Sequence, residues 1–327
     1  MAIETSCDET AAAVIASGPR ALSNVIRSQE ALHAPFGGVV PEIAARAHLQ
    51  TLIPVIERAL ETAGTRWEQI DAVAVTRGPG LIGCLLVGVN IGQAIAWARR
   101  LPVIGVSHLA AHIYAAQLEE PGLKSPVLGL VVSGGHSDLI RWQEDGTIAV
   151  IGRTRDDAAG EAFDKGARIL GLPFPGGPAI DQLAAHGNPK AVNFPRPRAP
   201  GLDFSFSGVK TALLYAVRKR GELGEQERAD LAASYQEAIV DALLQRVEAA
   251  QAEHPAPTIV LGGGVARNRR LRAAAQQRLG SRAHLVIPAP ELCTDNAAMI
   301  GAAALVEWDR RGPDPAPFDA DPSLGFA

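Results

Sequence analysis

The chain has 327 residues, of which 47% are hydrophobic and 20% charged, with a formal net charge of −4. This length predicts about two domains with large cores, and the acidic balance excludes a whole-protein attraction to nucleic acid. The three cysteines, Cys7, Cys84 and Cys293, lie far apart without a CxxC, which argues against a disulfide framework. No charged segment followed by an apolar core marks a signal peptide, so we expect a cytoplasmic protein with no membrane association.

The first predicted element is a hairpin made of Ala2-Ile3, a polar turn over residues 4–10 and an apolar return strand over residues 11–16. The N–H and hydroxyl groups of such a turn can bind a phosphate, and Asp8 and Glu9 can hold a cation or move a proton. A plain polar turn fits the spacing equally well. Because only Met1-Ala2 precede Ile3, we expect a very short first strand and, if this start is genuine, a weakened sheet edge.

Residues 41–64 carry apolar side chains at helical spacing, with a kink or break expected at Pro54. A strand follows at 71–75, then a turn at 77–80 and a glycine-rich helix at 81–100, whose small residues permit close packing. Its apolar run is interrupted by glycine, asparagine and glutamine, which disfavours a membrane span. His33 and His48 stand alone in the sequence and are expected to be ordinary histidines.

Two histidines mark the next helix, which follows the apolar strand 102–106 and begins with Ser107 as its N-cap. His108 and His112 are four residues apart, so they share one helix face and can both reach a single metal ion. Local packing of ordinary histidines is the alternative. Asp295, which precedes the last predicted helix, is either the third ligand or a simple helix cap.

A second hairpin is predicted from a buried strand at 127–132, a turn at 133–137 and a strand at 138–142, with Gly134 and Gly135 allowing close approach of a ligand. Paired hairpins of this kind are typical of the actin, sugar-kinase and Hsp70 folds. A strand at 258–261 ends in a glycine turn that leads into a helix, as at nucleotide sites of α/β folds. Asp164 and Asp181 lie near glycine-rich segments, where carboxylates bind hydroxyl groups or cap helices.

The motifs together resemble the TsaD/Gcp/Kae family of tRNA adenosine threonylcarbamoyltransferases, in its bacterial form. The matching segments, in family order, are IETSCDET, RGPG, SHLAAHIYA, VVSGGHSDLI, AFDKGARILGLPFPGGPAID, DFSFSGVKTAL, GGGVARN and CTDNAAMIG. The resemblance implies an α/β, two-lobed actin/sugar-kinase/Hsp70-like fold with mixed sheets and a nucleotide cleft. It implies an N-terminal lobe over 1–107, completed by a C-terminal helix at about 296–327, and a C-terminal lobe over 108–295.

The family reaction transfers threonylcarbamoyl from threonylcarbamoyl-AMP to the N6 amine of the adenosine 3′ to the anticodon, in tRNAs that read ANN codons. The resemblance implies that His108, His112 and Asp295 bind one divalent metal ion, iron by family precedent, with zinc or magnesium as alternatives. Asp8 and Glu9 become weak catalytic candidates. The implied substrate-binding residues are Val131, Val132, Ser133, Gly134, Gly135, Asp164, Gly177, Asp181 and Asn268.

The implied partners are tRNA, a paralogous TsaB-type subunit and a TsaE-type ATPase. Basic residues that could meet tRNA phosphates are Arg153, Arg155, Lys165, Arg168, Arg267, Arg269 and Arg270. A metalloprotease is disfavoured because Leu109 occupies the position of the general base in H-E-x-x-H. An actin-like kinase or ATPase would share both hairpins, and an inactive paralogue would be expected to lose the three metal ligands together.

Overall fold

The computed structural model describes residues 1–196 and 199–326. The chain forms two compact units, the first comprising Met1–Leu123, Asp145–Ile148 and Pro288–Ala327, and the second comprising Lys124–Glu144 and Ala149–Ile287. These bounds differ from the predicted lobes, because helix His108–Tyr114 packs on helix Ala297–Arg311 and both therefore fall in the first unit. Each unit contains a five-stranded mixed sheet with helices, which confirms the α/β two-lobed fold class.

The first unit is built on a sheet with strand order β3-β2-β1-β4-β5. Its strands are β1 (Ala2–Glu4), β2 (Glu9–Ala16), β3 (Arg20–Ser28), β4 (Val73–Gly78) and β5 (Val103–Ser107). Its helices through residue 123 are α1 (Glu30–His33), α2 (Pro41–Ala63), α3 (Ile82–Arg99) and α4 (His108–Tyr114). Short 3-10 turns lie at Ala34–Phe36, Trp67–Gln69 and Ala115–Leu118.

The second unit has strand order β10-β9-β6-β7-β8. The strands are β6 (Val127–Val132), β7 (Ser137–Trp142), β8 (Ile148–Arg153), β9 (Thr258–Gly262) and β10 (His284–Val286). The helices are α5 (Ala159–Ile169), α6 (Gly176–Ala184), α7 (Ser207–Arg220), α8 (Glu225–Glu253) and α9 (Arg269–Leu279), with a 3-10 turn at Gly264–Arg267. The chain then returns to the first unit with α10 (Pro290–Cys293) and α11 (Ala297–Arg311).

Both predicted hairpins are present. β1 pairs antiparallel with β2, with Ala2 opposite Ala13, and β6 pairs antiparallel with β7, with Val132 opposite Ser137. The expectation of a weakened edge is wrong, because the three-residue β1 lies in the middle of its sheet, bonded to β2 on one side and to β4 on the other. The β1 hairpin therefore projects its turn from the centre of the sheet.

Two expectations for the helices have different outcomes. Of the kink or break expected at Pro54, the prediction of a break is wrong, since α2 runs from Pro41 to Ala63 with this proline inside it. The close packing of α3 is confirmed, because a Cβ on Gly88 would lie 2.3 Å from the Thr5 Oγ1 and one on Gly92 would lie 2.2 Å from the Val75 Cγ1. Among the described residues α3 alone has the length and apolar character of a membrane span, and its packing on β4 and α2 fits a core helix.

Candidate functional site

The first unit brings together three side chains that could hold a metal ion. His108 and His112 lie on α4, and one ligand atom from each lies within 4.8 Å of the others and of a carboxylate oxygen of Asp295. The Asp295 Oδ1 is 3.4 Å from the Nε2 of each histidine. Two ligands at about 2.1 Å from a tetrahedral ion are about 3.4 Å apart, so the spacing suits one shared ion.

Local sequence explains how the helix presents the two histidines. The Ser107 hydroxyl accepts a hydrogen bond from the Ala110 N–H at 3.4 Å, which confirms the predicted N-cap of α4. Asp295 does not cap α11, because the Asn296 side chain accepts from the Met299 N–H at 3.0 Å. The Asp295 carboxylate is therefore left to face the histidines.

The chemistry of these donors fits a divalent metal. His112 is 1% exposed, and within residues 1–196 and 199–326 neither of its ring nitrogens has a hydrogen-bond partner. A buried polar atom left unpaired is costly, and a metal bond satisfies it. Burial lowers the pKa of His112, which favours the neutral imidazole that binds metal, and the two histidines hold the pKa of Asp295 below its usual range despite burial.

A fourth residue, Glu4, lies behind the predicted ligands. It is fully buried at the end of β1, and its Oε2 is 2.9 Å from the His108 Nδ1. Burial raises the pKa of Glu4, but His108 and the Ser6 N–H lower it by more. The net shift of the pKa is downward, so the carboxyl is ionised. In the sequence analysis, Glu4 is assigned to a polar turn. The signal for its role is an acidic residue directly after the apolar pair Ala2-Ile3, which indicates a carboxyl group at the end of a buried strand.

The turn between β1 and β2 also carries Asp8 and Glu9. Burial, followed by the charges of Asp295 and Asp8, raises the pKa of Glu9 to about 10, so this carboxyl keeps its proton at neutral pH. The Ser28 hydroxyl donates to Glu9 Oε1 at 3.3 Å. Glu9 is therefore equipped to donate a hydrogen bond.

His33 and His48, which stood alone in the sequence, are fully buried members of one hydrogen-bond network. His48 lies between the Thr10 hydroxyl at 2.8 Å and the Cys7 carbonyl at 2.9 Å. Gln29 joins the two histidines and donates its backbone N–H to the Asp8 carbonyl at 3.0 Å. These histidines are structural, and they fix the backbone of the turn that carries Asp8 and Glu9.

In the second unit the β6–β7 turn is open to a ligand. The Ser133 hydroxyl accepts from the His136 N–H at 3.2 Å, and among the described residues, chain neighbours aside, no atom lies within 4 Å of a Cβ placed on Gly134 or Gly135. Val131 and Val132 are fully buried, and their backbones pair with β7, with Val131 opposite Asp138 and Val132 opposite Ser137. The Gly160 N–H donates to the Ser133 carbonyl at 3.1 Å, which places the start of α5 against this turn.

The other predicted substrate residues are near helix ends. The Asp164 carboxylate accepts from the Gly176 N–H at 2.8 Å and also from Gly177, so it caps α6, and burial raises its pKa. The Asn268 amide caps α9 by accepting from the Leu271 N–H at 2.9 Å and donates to Gln236 at 2.7 Å. Both side chains have structural partners, which sequence spacing alone did not distinguish from ligand-binding groups.

Most of the predicted tRNA-facing cations have carboxylate partners. The ion pairs are Arg155 with Asp203, Lys165 with Asp157 and Glu161, Arg269 with Asp181, and Arg270 with Glu237. An ion pair reduces the positive charge that is available to bind a phosphate. Arg269, which directly follows Asn268, donates hydrogen bonds to the carboxylate and the carbonyl of Asp181. The predicted substrate residues Asp181 and Asn268 are therefore near each other.

Comparison with solved structures supports the fold. Full-length HypF in its phosphate- and nucleotide-bound form matches with a TM-score of 0.60 and 14% identity, over 80% of this chain and 50% of that chain. Component A of (R)-2-hydroxyglutaryl-CoA dehydratase from Acidaminococcus fermentans matches with a TM-score of 0.54 and 17% identity, over 93% of this chain and 95% of that chain. At these identities the likeness establishes the fold alone.

Comparison of sequences establishes the family. The model of the family described as TsaD: tRNA N6-adenosine threonylcarbamoyltransferase matches residues 20–302. The protein of that name from Anaeromyxobacter dehalogenans is 53% identical over 99% of this chain and 98% of its own length. The one from Moorella thermoacetica is 50% identical over 99% and 96%. The chain therefore belongs to the TsaD family of tRNA N6-adenosine threonylcarbamoyltransferases, a family of acyltransferases that modify tRNA.

Proposed function

We propose that the protein transfers the threonylcarbamoyl group from threonylcarbamoyl-AMP to the N6 amine of the adenosine 3′-adjacent to the anticodon, in tRNAs that read ANN codons. The adenine nitrogen forms a bond to the carbamoyl carbon, the bond from that carbon to the phosphate oxygen breaks, and AMP leaves. The amine loses one proton. No hydrolysable triphosphate is needed for this step, which separates it from a kinase reaction.

The observation that carries the proposal is the group formed by the buried His108 and His112 and the half-buried Asp295. Two imidazoles and one carboxylate would bind one divalent ion, for which we propose iron, with zinc or magnesium as alternatives. When bound, the ion supplies Lewis-acid polarisation of donor oxygens. Within this group the carboxylate of Asp295 offsets the ion's charge and holds its position relative to α4.

We assign donor binding to residues of the second unit. Backbone N–H groups of the β6–β7 turn bind an oxyanion or phosphate, and the nearby helix starts and polar groups hold the nucleotide and the threonyl moiety. The residues assigned are Val131, Val132, Ser133, Gly134, Gly135, Asp164, Gly177, Asp181 and Asn268. In the first unit, Asp8 would accept the amine proton and the protonated Glu9 would position the acceptor by a hydrogen bond.

The reaction can be tested directly. We expect the purified protein, with threonylcarbamoyl-AMP, partner subunits and an unmodified ANN-reading tRNA transcript, to form threonylcarbamoyladenosine, detected by nucleoside mass spectrometry. A transcript with guanosine in place of the target adenosine is the control and should stay unmodified. Phosphate transfer from ATP without tRNA dependence, and no modified nucleoside, would instead favour an actin-like kinase or ATPase.

We further propose that the protein acts in the cytoplasm with a paralogous TsaB-type subunit and a TsaE-type ATPase. An exposed apolar stripe on α2 and α3 supports a docking surface for the paralogue. The α2–α3 stripe consists of Leu49, Ile53, Ile82, Leu86 and Trp97, with exposed fractions from 44% to 85%. Members 82, 86 and 97 follow one face of α3, so they would meet a partner together.

Replacing Leu86 by Glu is expected to weaken binding of the TsaB-type subunit at least tenfold, because a charge at the middle of the α2–α3 stripe loses its water on docking. Calorimetric titration of the two purified proteins measures the affinity. Tyr215→Glu is the matched control, since Tyr215 is 64% exposed on α7 in the second unit. Equal affinities for both variants would reject the stripe as the docking surface.

A further inference from the structure

Glu4 makes more hydrogen bonds than a residue of a plain turn requires. Its carboxylate is fully buried and accepts from the Thr76 hydroxyl at 2.7 Å, the His108 Nδ1 at 2.9 Å and the Ser6 N–H. Three donors on one buried carboxylate satisfy most of its acceptor capacity and offset the cost of burying the charge. The arrangement holds the carboxylate in one orientation.

The position of Glu4 is set by the centre of the sheet. Glu4 ends β1, which is hydrogen-bonded to β2 and β4, and Thr76 belongs to β4. A group built on central strands is held more precisely than a group on a loop. The carboxylate therefore gives the imidazole of His108 a fixed partner in the sheet.

The contact also decides which nitrogen of His108 faces the metal group. Because Nδ1 faces the ionised Glu4 carboxylate, it carries a proton and donates a hydrogen bond. The neutral imidazole then has its lone pair on Nε2, the atom that lies 3.4 Å from Asp295 Oδ1. His112 differs, since in the described part of the chain its Nδ1 has no hydrogen-bond acceptor. Of the two histidines, only His108 is oriented from behind by a carboxylate.

We propose that Glu4 is the positioning residue of the metal centre. It fixes the ring of His108 and its Nδ1–H tautomer so that Nε2 is presented to the metal, as carboxylate–histidine–metal triads do. This role rests on the metal site of the proposed function. Glu4 would not itself hold the metal, because its carboxylate is used by His108, Thr76 and Ser6.

The test compares Glu4→Gln with Glu9→Gln by zinc affinity, measured by competition with a chelator on the full chain without tRNA. We expect the first variant to bind zinc 10- to 100-fold more weakly than the wild type, the loss typical of such a partner. Glu9→Gln is matched in chemistry, and within residues 1–196 and 199–326 the Glu9 side chain is hydrogen-bonded to Ser28 and to no imidazole. It is expected to show a clearly smaller loss.

A second readout distinguishes positioning from a general effect on folding. In the zinc-loaded wild type with ¹⁵N-labelled histidine, NMR should show a proton on His108 Nδ1 in a strong hydrogen bond, and Glu4→Gln should shift this signal. Thr76→Val leaves the Glu4–His108 contact in place and serves as the test if Glu4→Gln fails to fold. It should weaken zinc binding by a smaller factor than that expected for Glu4→Gln.

Three outcomes would overturn the proposal. Wild-type zinc affinity in Glu4→Gln would do so, and so would zinc bound through Nδ1 of His108. Absence of zinc binding by the wild type would reject the metal site itself. The last result is separable from failure of the transfer reaction, because threonylcarbamoyladenosine is assayed independently.

Discussion

The double replacement His108→Ala/His112→Ala is expected to abolish metal binding and to slow threonylcarbamoyladenosine formation about a thousandfold or more. Lewis-acid stabilisation is worth several kcal/mol, and each 1.36 kcal/mol is a factor of ten in rate. Removing two of the three ligands leaves Asp295 as the single remaining one, which cannot hold an ion in competition with water. Metal content after dialysis and nucleoside mass spectrometry measure the two effects.

The control for this prediction is His186→Ala, which removes an exposed imidazole in the second unit and should leave both measurements unchanged. The double variant should fold without metal, because α4 is also held by the Ser107 cap and by its packing on α11. A variant that makes modified tRNA at the wild-type rate would keep the transferase function and reject a role for the metal. A variant that binds metal as before would reject these ligands.

The sequence was most informative where the signal is local. The spacing of His108 and His112 predicts a shared helix face, and Ser107 predicts where that helix begins; both are confirmed because each depends on a few neighbouring residues. The helix does not break at Pro54, because α2 buries many apolar side chains, including Leu52, Val55 and Ile56, whose packing offsets the lost hydrogen bond.

Contacts between residues that are far apart in the chain could not be predicted from local sequence patterns. Asp295 was assigned to the histidines through family resemblance alone, since no periodicity connects residues so far apart in the chain. Glu4 was missed because its partners come from two other elements, Thr76 on β4 and His108 on α4. In the second unit, Asp164 and Asn268 are predicted to bind substrate. The structure shows that each caps a helix, a role that sequence spacing cannot separate from ligand binding.

The second large effect is expected at the glycine turn after β9, where Gly263→Ala should lower the free energy of unfolding by about 2–6 kcal/mol. Gly263 has φ +90°, a conformation that side chains disfavour. A Cβ there would lie 2.4 Å from the carbonyl oxygen of Val132, which is backbone and cannot rotate away. Strain and overpacking each cost about 1–3 kcal/mol, and they add at this position.

Gly264→Ala is the matched control. In the described part of the chain, its two neighbours aside, no atom lies within 4 Å of the Gly264 Cβ position, and the φ of Gly264 lies outside the left-handed range. Urea unfolding of both variants measures the difference, and equal midpoints would show that the turn accepts a side chain at either glycine.

The expected difference has a functional consequence. Val132 directly precedes the Ser133–Gly134–Gly135 turn, so a methyl group added at Gly263 would displace this backbone and move the N–H groups assigned to the donor. Gly263→Ala should therefore raise the KM for threonylcarbamoyl-AMP, while Gly264→Ala does not.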